Sequence, residues 1–135
     1  MKAKSEKDEN RNKKHHFRNL LCWQKARTLR IEIYKIAKKL PDNERYALAN
    51  QMRRAAVSIT SNIAEGYGRY HYQENIQFCR QSRASIYECE DHLVTCLDEG
   101  FISKEGYEDL VTQIIETRKI LDGYINYLKK LANKI

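Results

Sequence analysis

QMRRAAVSITSNIAEGYGR, residues 51–69, is the stretch whose reading decides the fold. Together with Leu48, its Met52, Ala55, Ala56, Ile59 and Ile63 fall at offsets of 4, 7, 8, 11 and 15, one stripe of an α-helix that faces a core. The opposite side holds Val57 and Ala64 with small Ala47, Ser58 and Ser61, and is short of long charged side chains. A helix surface of that kind is seldom left in water, so a second element, from this chain or another copy, is expected to cover it. Arg53 and Arg54 flank the core stripe. Gly66 is expected to take a positive φ as the residue that ends the helix, followed by an aromatic and basic loop from Tyr67 through Gly68, Arg69, Tyr70 and His71 to Tyr72.

Working outward, the upstream helix is read from about Leu20 to Lys39, with Trp23, Ala26, Leu29, Ile33, Ile36, Ala37 and Leu40 at three- and four-residue steps. Pro41 ends it, because the residue before a proline disfavours the α region. Asp42 or Asn43 then offers an N-cap to the second helix, and Glu44 suits the positive end of its dipole. Downstream, a third helix starts at Gln73 or Glu74, buries Ile76, Cys79, Ser82, Ile86, Cys89, Leu93, Cys96 and Leu97, and closes at Gly100. Ser103 caps a fourth, whose stripe runs from Tyr107, Leu110 and Ile114 to Leu121, Ile125, Leu128 and Leu131. Gly123 inside this pattern suggests a close backbone contact. The fold class is all-α: four long helices with short connections form an up-and-down antiparallel four-helix bundle over residues 20–135, with small-faced helix two pointing to a homo-oligomer.

The segment RRAAVSITSNIAEGYGR, with WQKA upstream and KKLPDNERYAL between, resembles the bacterial four-helix-bundle proteins encoded in intervening sequences of large-subunit ribosomal RNA genes. The resemblance covers roughly residues 20–131, and NIAEG-x-GR is its most specific part. A branch of the same fold, less similar to this chain, contains the accessory variability proteins of diversity-generating retroelements. What the resemblance implies is a homopentamer with a basic surface, and for the retroelement branch binding to nucleic acid and to a reverse transcriptase.

Composition sets the outer limits. One domain is the default for 135 residues of which 41% are hydrophobic, and five glycines with one proline leave little punctuation for a β architecture. The formal charge of +7 attracts polyanions without choosing among them. Residues 1–19 hold seven basic and three acidic residues, hence +4 of that excess, and read as a flexible basic tail. No segment is apolar enough for a membrane span or a secretory signal, so a cytoplasmic protein with reduced, buried cysteines is expected.

Candidate chemistry centres on arginine. Arg53 and Arg54 on helix two, Arg69 in the loop, and Arg80 and Arg83 early in helix three are expected to gather across the hairpin, with Tyr67 and Tyr70 able to stack on unpaired bases. Forked guanidinium groups beside aromatic rings suit sequence-tolerant RNA or single-strand binding better than base-edge readout, and RNA is expected ahead of DNA as the partner. The competing reading pairs these arginines with Glu65, Glu74, Glu88 and Glu90 at a subunit contact. Asn62 and Glu65 read as structural, with Glu65 expected to find a cationic partner near its helix C-terminus. Cys89, His92 and Cys96 share one stripe, but no second helix supplies matching ligands, so neither metal nor cofactor is assigned. No nucleophilic triad or phosphate loop can be assembled, and a non-enzymatic nucleic-acid-binding protein is the leading expectation, an accessory interaction subunit of a reverse transcriptase the alternative.

Overall fold

Four amphipathic stripes at helical spacing have to bury their apolar sides against one another, and antiparallel stacking of sequence neighbours does so with the shortest connections. The computed structural model describes residues 16–134 and shows this arrangement. Helix α1 spans Leu21–Lys39, α2 Leu48–Tyr67, α3 Tyr72–Asp98 and α4 Lys104–Asn133. Each packs on its neighbours in sequence, and α4 returns to pack on α1. The core is built from the expected stripes: Leu29 and Ile33 of α1, Met52, Ile59 and Ile63 of α2, Ile76, Ile86 and Leu93 of α3, and Ile114, Leu121 and Ile125 of α4 are almost wholly buried. Most of the expected basic tail, residues 1–15, lies outside the described residues. Its last part belongs to the fold: Phe17–Asn19 form a 3₁₀ turn, and Phe17 sets its ring edge-on to Trp23 with centroids 5.3 Å apart.

The connections explain the helix ends. Leu40 is extended ahead of Pro41, with ψ 152°, and stops α1. The expected capping of α2 by Asp42 or Asn43 is not what forms. Asp42–Glu44 make a separate 3₁₀ turn, and α2 begins only at Leu48, where the chain first has apolar side chains to bury. Ala47 stands at the N-cap without a side-chain bond, and Glu44 Oε2 accepts from the Leu48 amide at 3.4 Å in its place. At the other end of the bundle, Gly100 has φ 74° and completes a two-bond C-terminal cap: its own amide donates to Leu97, and that of Phe101 donates to Cys96 at 2.8 Å. Ser103 Oγ then accepts from the Gly106 amide at 3.0 Å and starts α4.

Gly66 overturns the expectation set for it. It does not have a positive φ, and α2 runs through it to Tyr67. Its role is close approach: a Cβ there would lie 2.7 Å from Asn75 Oδ1 and 2.8 Å from Phe78 Cβ, so only glycine lets α3 come this near. The same contact fixes the α2–α3 register, together with Ser82 Oγ donating to the Ile59 carbonyl at 2.7 Å and Ser85 Oγ meeting Ser58 Oγ at 2.9 Å. Gly123, by contrast, has open space where its Cβ would be, so the close contact expected there is not made within this chain.

Candidate nucleic-acid interface

The residues that α1 turns away from the core include Arg27, Arg30, Ile31, Tyr34, Lys35 and Lys38, offsets of 3, 4, 7, 8 and 11 from the first, again one helical stripe. On α2 the matching outer stripe is Asn50, Arg53, Arg54, Val57 and Ser58. Because α1 packs on α2, the two stripes border one open groove of about 710 Å³, lined by Arg30, Ile31, Tyr34, Lys35, Lys38, Arg53 and Val57. A second depression, of about 520 Å³, continues it past Tyr34, Arg53 and Val57 to Asn50, Arg54 and Ser58. The floor is apolar: Ile31, Tyr34 and Val57 are 42, 40 and 39% exposed, large figures for such side chains in the middle of helices. The expected cover over the back of α2 is therefore only partial within one chain. Ser85 of α3 ties one flank through Ser58, Asn62 Nδ2 donates within α2 to the Ser58 carbonyl at 2.8 Å, and Val57 stays open.

The groove's cations are sparsely neutralised. Arg30 Nη1 donates to Thr60 Oγ1 at 2.9 Å, and Lys35 pairs with Glu32 at 3.1 Å. Among the described residues, Lys38, Arg53 and Arg54 have no ion pair. Asp42 borders Lys38 and Arg53 in a depression they share with Arg45, and three cations beside one carboxylate still raise the local potential for an anion. Guanidinium forks fit phosphate oxygens bidentately, and the half-open Tyr34 ring offers a stacking surface beside them.

The seven residues singled out from sequence separate into three places. Arg53 and Arg54 are in the groove. Arg80 and Arg83 do not join them, contrary to expectation: the register that sets Ser82 against Ile59 places Arg80 level with residue 61, about 11 Å along the axis from Arg53 and Arg54. Arg83 is moreover engaged by Asp122 of α4 at 2.8 Å. The third place is the α2–α3 loop, at the far end of the bundle. There Arg69 lies over the Phe78 ring at 4.8 Å and 3.9 Å from Glu74, Tyr70 is 92% exposed with its ring edge-on to His71, and Tyr67 is half-buried, which pushes its phenol above the usual value. Sequence reasoning missed Arg30, Ile31, Tyr34, Lys35 and Lys38. Their signal was available in the spacing of basic residues opposite the α1 core stripe.

Other chemistry finds little support in the side chains. Burial pushes the thiols of Cys22, Cys79 and Cys89 up to about 12 and raises that of Cys96, the opposite of what a nucleophile or metal ligand needs. Cys96 Sγ instead meets Met52 Sδ at 3.7 Å in the core. His92 Nε2 is buried without a hydrogen bond, 3.8 Å from Glu88. Among the described residues no three His, Cys, Asp or Glu side chains converge on a common point. Glu65 is exposed and has no ion pair among the described residues, so its expected cationic partner is not found. No helix of the described residues is long and apolar enough to cross a membrane.

Comparison with known families decides the kinship. The family model of the 23S rRNA-intervening sequence protein matches residues 18–123, most of the chain. The chain belongs to the 23S rRNA-intervening sequence protein family. Its fold is shared with a Bacteroides thetaiotaomicron protein of unknown function from the S23 ribosomal protein family, at a TM-score of 0.72 and 21% identity over 78% of this chain and 96% of that one. No curated protein matches the chain. For this intervening-sequence family member, the match begins inside the Phe17–Asn19 turn, in agreement with where the described fold starts.

Proposed function

We propose that this protein is a non-enzymatic nucleic-acid-binding bundle that takes single-stranded RNA, in preference to DNA, along the α1–α2 groove, and that copies of it self-associate, into the homopentamer that the family resemblance implies. The observation that carries the reading is the set of Lys38, Arg53 and Arg54 without carboxylate partners among the described residues, around a floor that includes Tyr34. Cations spaced along a groove follow a phosphate backbone, and an accessible ring stacks on any base, a combination that tolerates sequence and selects strands whose bases are free. The family's description ties such proteins to sequences within 23S ribosomal RNA, which favours RNA as the polyanion. The apolar floor also favours a second reading, an accessory subunit that docks a protein such as a reverse transcriptase in the same groove.

A fluorescence-anisotropy titration with a labelled single-stranded RNA tests the first reading. Replacing Arg53 and Arg54 together by alanine should weaken binding by more than about tenfold, since two charge-assisted contacts are lost. Arg83→Ala, which removes a cation already paired with Asp122, should bind like the parent. A double variant that binds RNA as tightly as the parent would remove the groove from consideration.

A further inference from the structure

The groove has a counterpart of opposite sign. Between Glu88 and Asp109 the chain carries eight carboxylates against a single Lys or Arg, Lys104. On the outer side of α3, Tyr87, Asp91, Val94 and Asp98 recur at offsets of 4, 7 and 11, so that apolar and acidic side chains alternate along one stripe. Tyr87 is 53% and Val94 37% exposed. Arg118 of α4 sits over the Tyr87 ring at 4.7 Å, which sets this stripe on the α3–α4 side of the bundle. Asp91 and Asp98 have no ion pair among the described residues.

The placement of the two surfaces matters as much as their sign. The helices pack in a ring in which α1 touches α2 and α4, and α3 touches the same two, so the α1–α2 and α3–α4 surfaces look out on opposite sides. Both lie in the same half of the bundle, because Arg53 and Arg54 are level with Glu88 and Tyr87 by the α2–α3 register that sets Ile59 against Ser82. A chain cannot fold its own acidic stripe into its own groove. A second copy presents that stripe with the matching charges and with apolar side chains to meet Ile31, Tyr34 and Val57.

We infer that the α1–α2 groove of one copy receives the acidic α3–α4 stripe of a second copy, head to tail, and that this contact competes with RNA for Arg53 and Arg54. Only the competition rests on the proposed RNA reading; the contact between copies stands on the two complementary surfaces. Opposed, non-identical surfaces give a heterologous contact, which closes as a ring or continues as a chain of subunits. Its ionic part weakens with salt, and the apolar part does not.

The test uses light scattering on the full chain at about 0.05 M salt, where exposed ion pairs are least screened. The parent should scatter as a multiple of 16.0 kDa. Arg53→Glu/Arg54→Glu and Asp91→Arg/Asp98→Arg should each fall to single chains with unchanged helical circular dichroism, and a one-to-one mixture of the two should associate again, since each then meets its complement. The milder Asp91→Asn/Asp98→Asn chain should show the same loss in part. A ~12-nucleotide oligouridylate should break the parent assembly into single chains bearing RNA, and should bind the Asp91→Arg/Asp98→Arg chain at least as tightly as the parent. A parent that stays monomeric, a well-folded mixture that fails to associate, or RNA bound to an intact assembly would each overturn the inference. Intact self-association with no RNA binding in any chain would overturn the RNA reading and its competition, and leave the head-to-tail contact standing.

Discussion

At the scale of single residues, two glycines in helix interiors carry opposite expectations. Gly66 is pressed against α3, and the methyl group of Gly66→Ala would meet Asn75 Oδ1 at 2.7 Å and the Asn75 carbonyl at 3.0 Å. Backbone cannot swing aside as a side-chain tip can, so denaturant unfolding should show a loss of about 1–3 kcal/mol. Gly123→Ala meets open space and gains helix propensity, so the same measurement should show a gain of up to about 1 kcal/mol. From sequence the two look alike, since a glycine that ends a helix and one that admits a neighbour leave the same letter. The buried thiols make a second residue-scale prediction. Cys22, Cys79 and Cys89 hold their protons in the folded chain up to about pH 12, whereas unfolding returns them to ordinary thiols that ionise near 9. The unfolded chain therefore binds fewer protons above pH 9, and the stability these thiols contribute is complete below that value and lost between pH 9 and 12. Urea midpoints measured across that window should fall with rising pH, and thiol labelling at pH 8 should proceed only as fast as the fold opens.

At the scale of elements, what could be read in the sequence was what local chemistry dictates. Pro41 stops α1, Gly100 supplies the left-handed residue after α3, and Ser103 caps α4, each where expected. Ser103→Ala should cost about 1 kcal/mol in thermal or urea unfolding, through the lost bond to the Gly106 amide. What could not be read was register. The loop length suggests that Arg53 and Arg54 reach toward Arg80 and Arg83, but α2 runs on through Gly66 to Tyr67, and the Gly66–Asn75 contact shifts the partners of Arg53 and Arg54 toward Glu88 and Tyr87. The start of α2 was missed for a related reason: Asp42 and Asn43 are good caps in isolation, yet no apolar residue precedes Leu48 in a position to be buried. Side-chain preference proposes an end, and burial decides whether the helix begins there.

At the scale of the whole molecule, a +7 chain concentrates its charge unevenly. The α1–α2 face is basic around an apolar floor, and the α3–α4 side presents Asp91 and Asp98, which have no ion pair among the described residues. Half of the candidate site was visible as Arg53 and Arg54, because they interrupt the core pattern of α2. The other half, Arg30, Tyr34 and Lys38, required knowing that α1 lies alongside that face. The central claim is that groove cations neutralise RNA phosphates, and the salt dependence of binding measures this most directly. Each phosphate neutralised on a single strand contributes about 0.7 to the slope of log affinity against log salt. If Arg53 and Arg54 each hold one phosphate, Arg53→Ala/Arg54→Ala should lower the magnitude of that slope by about 1.4 and Arg83→Ala should leave it unchanged. A double variant with the parent's slope, or an Arg83 variant that loses as much, would contradict the account.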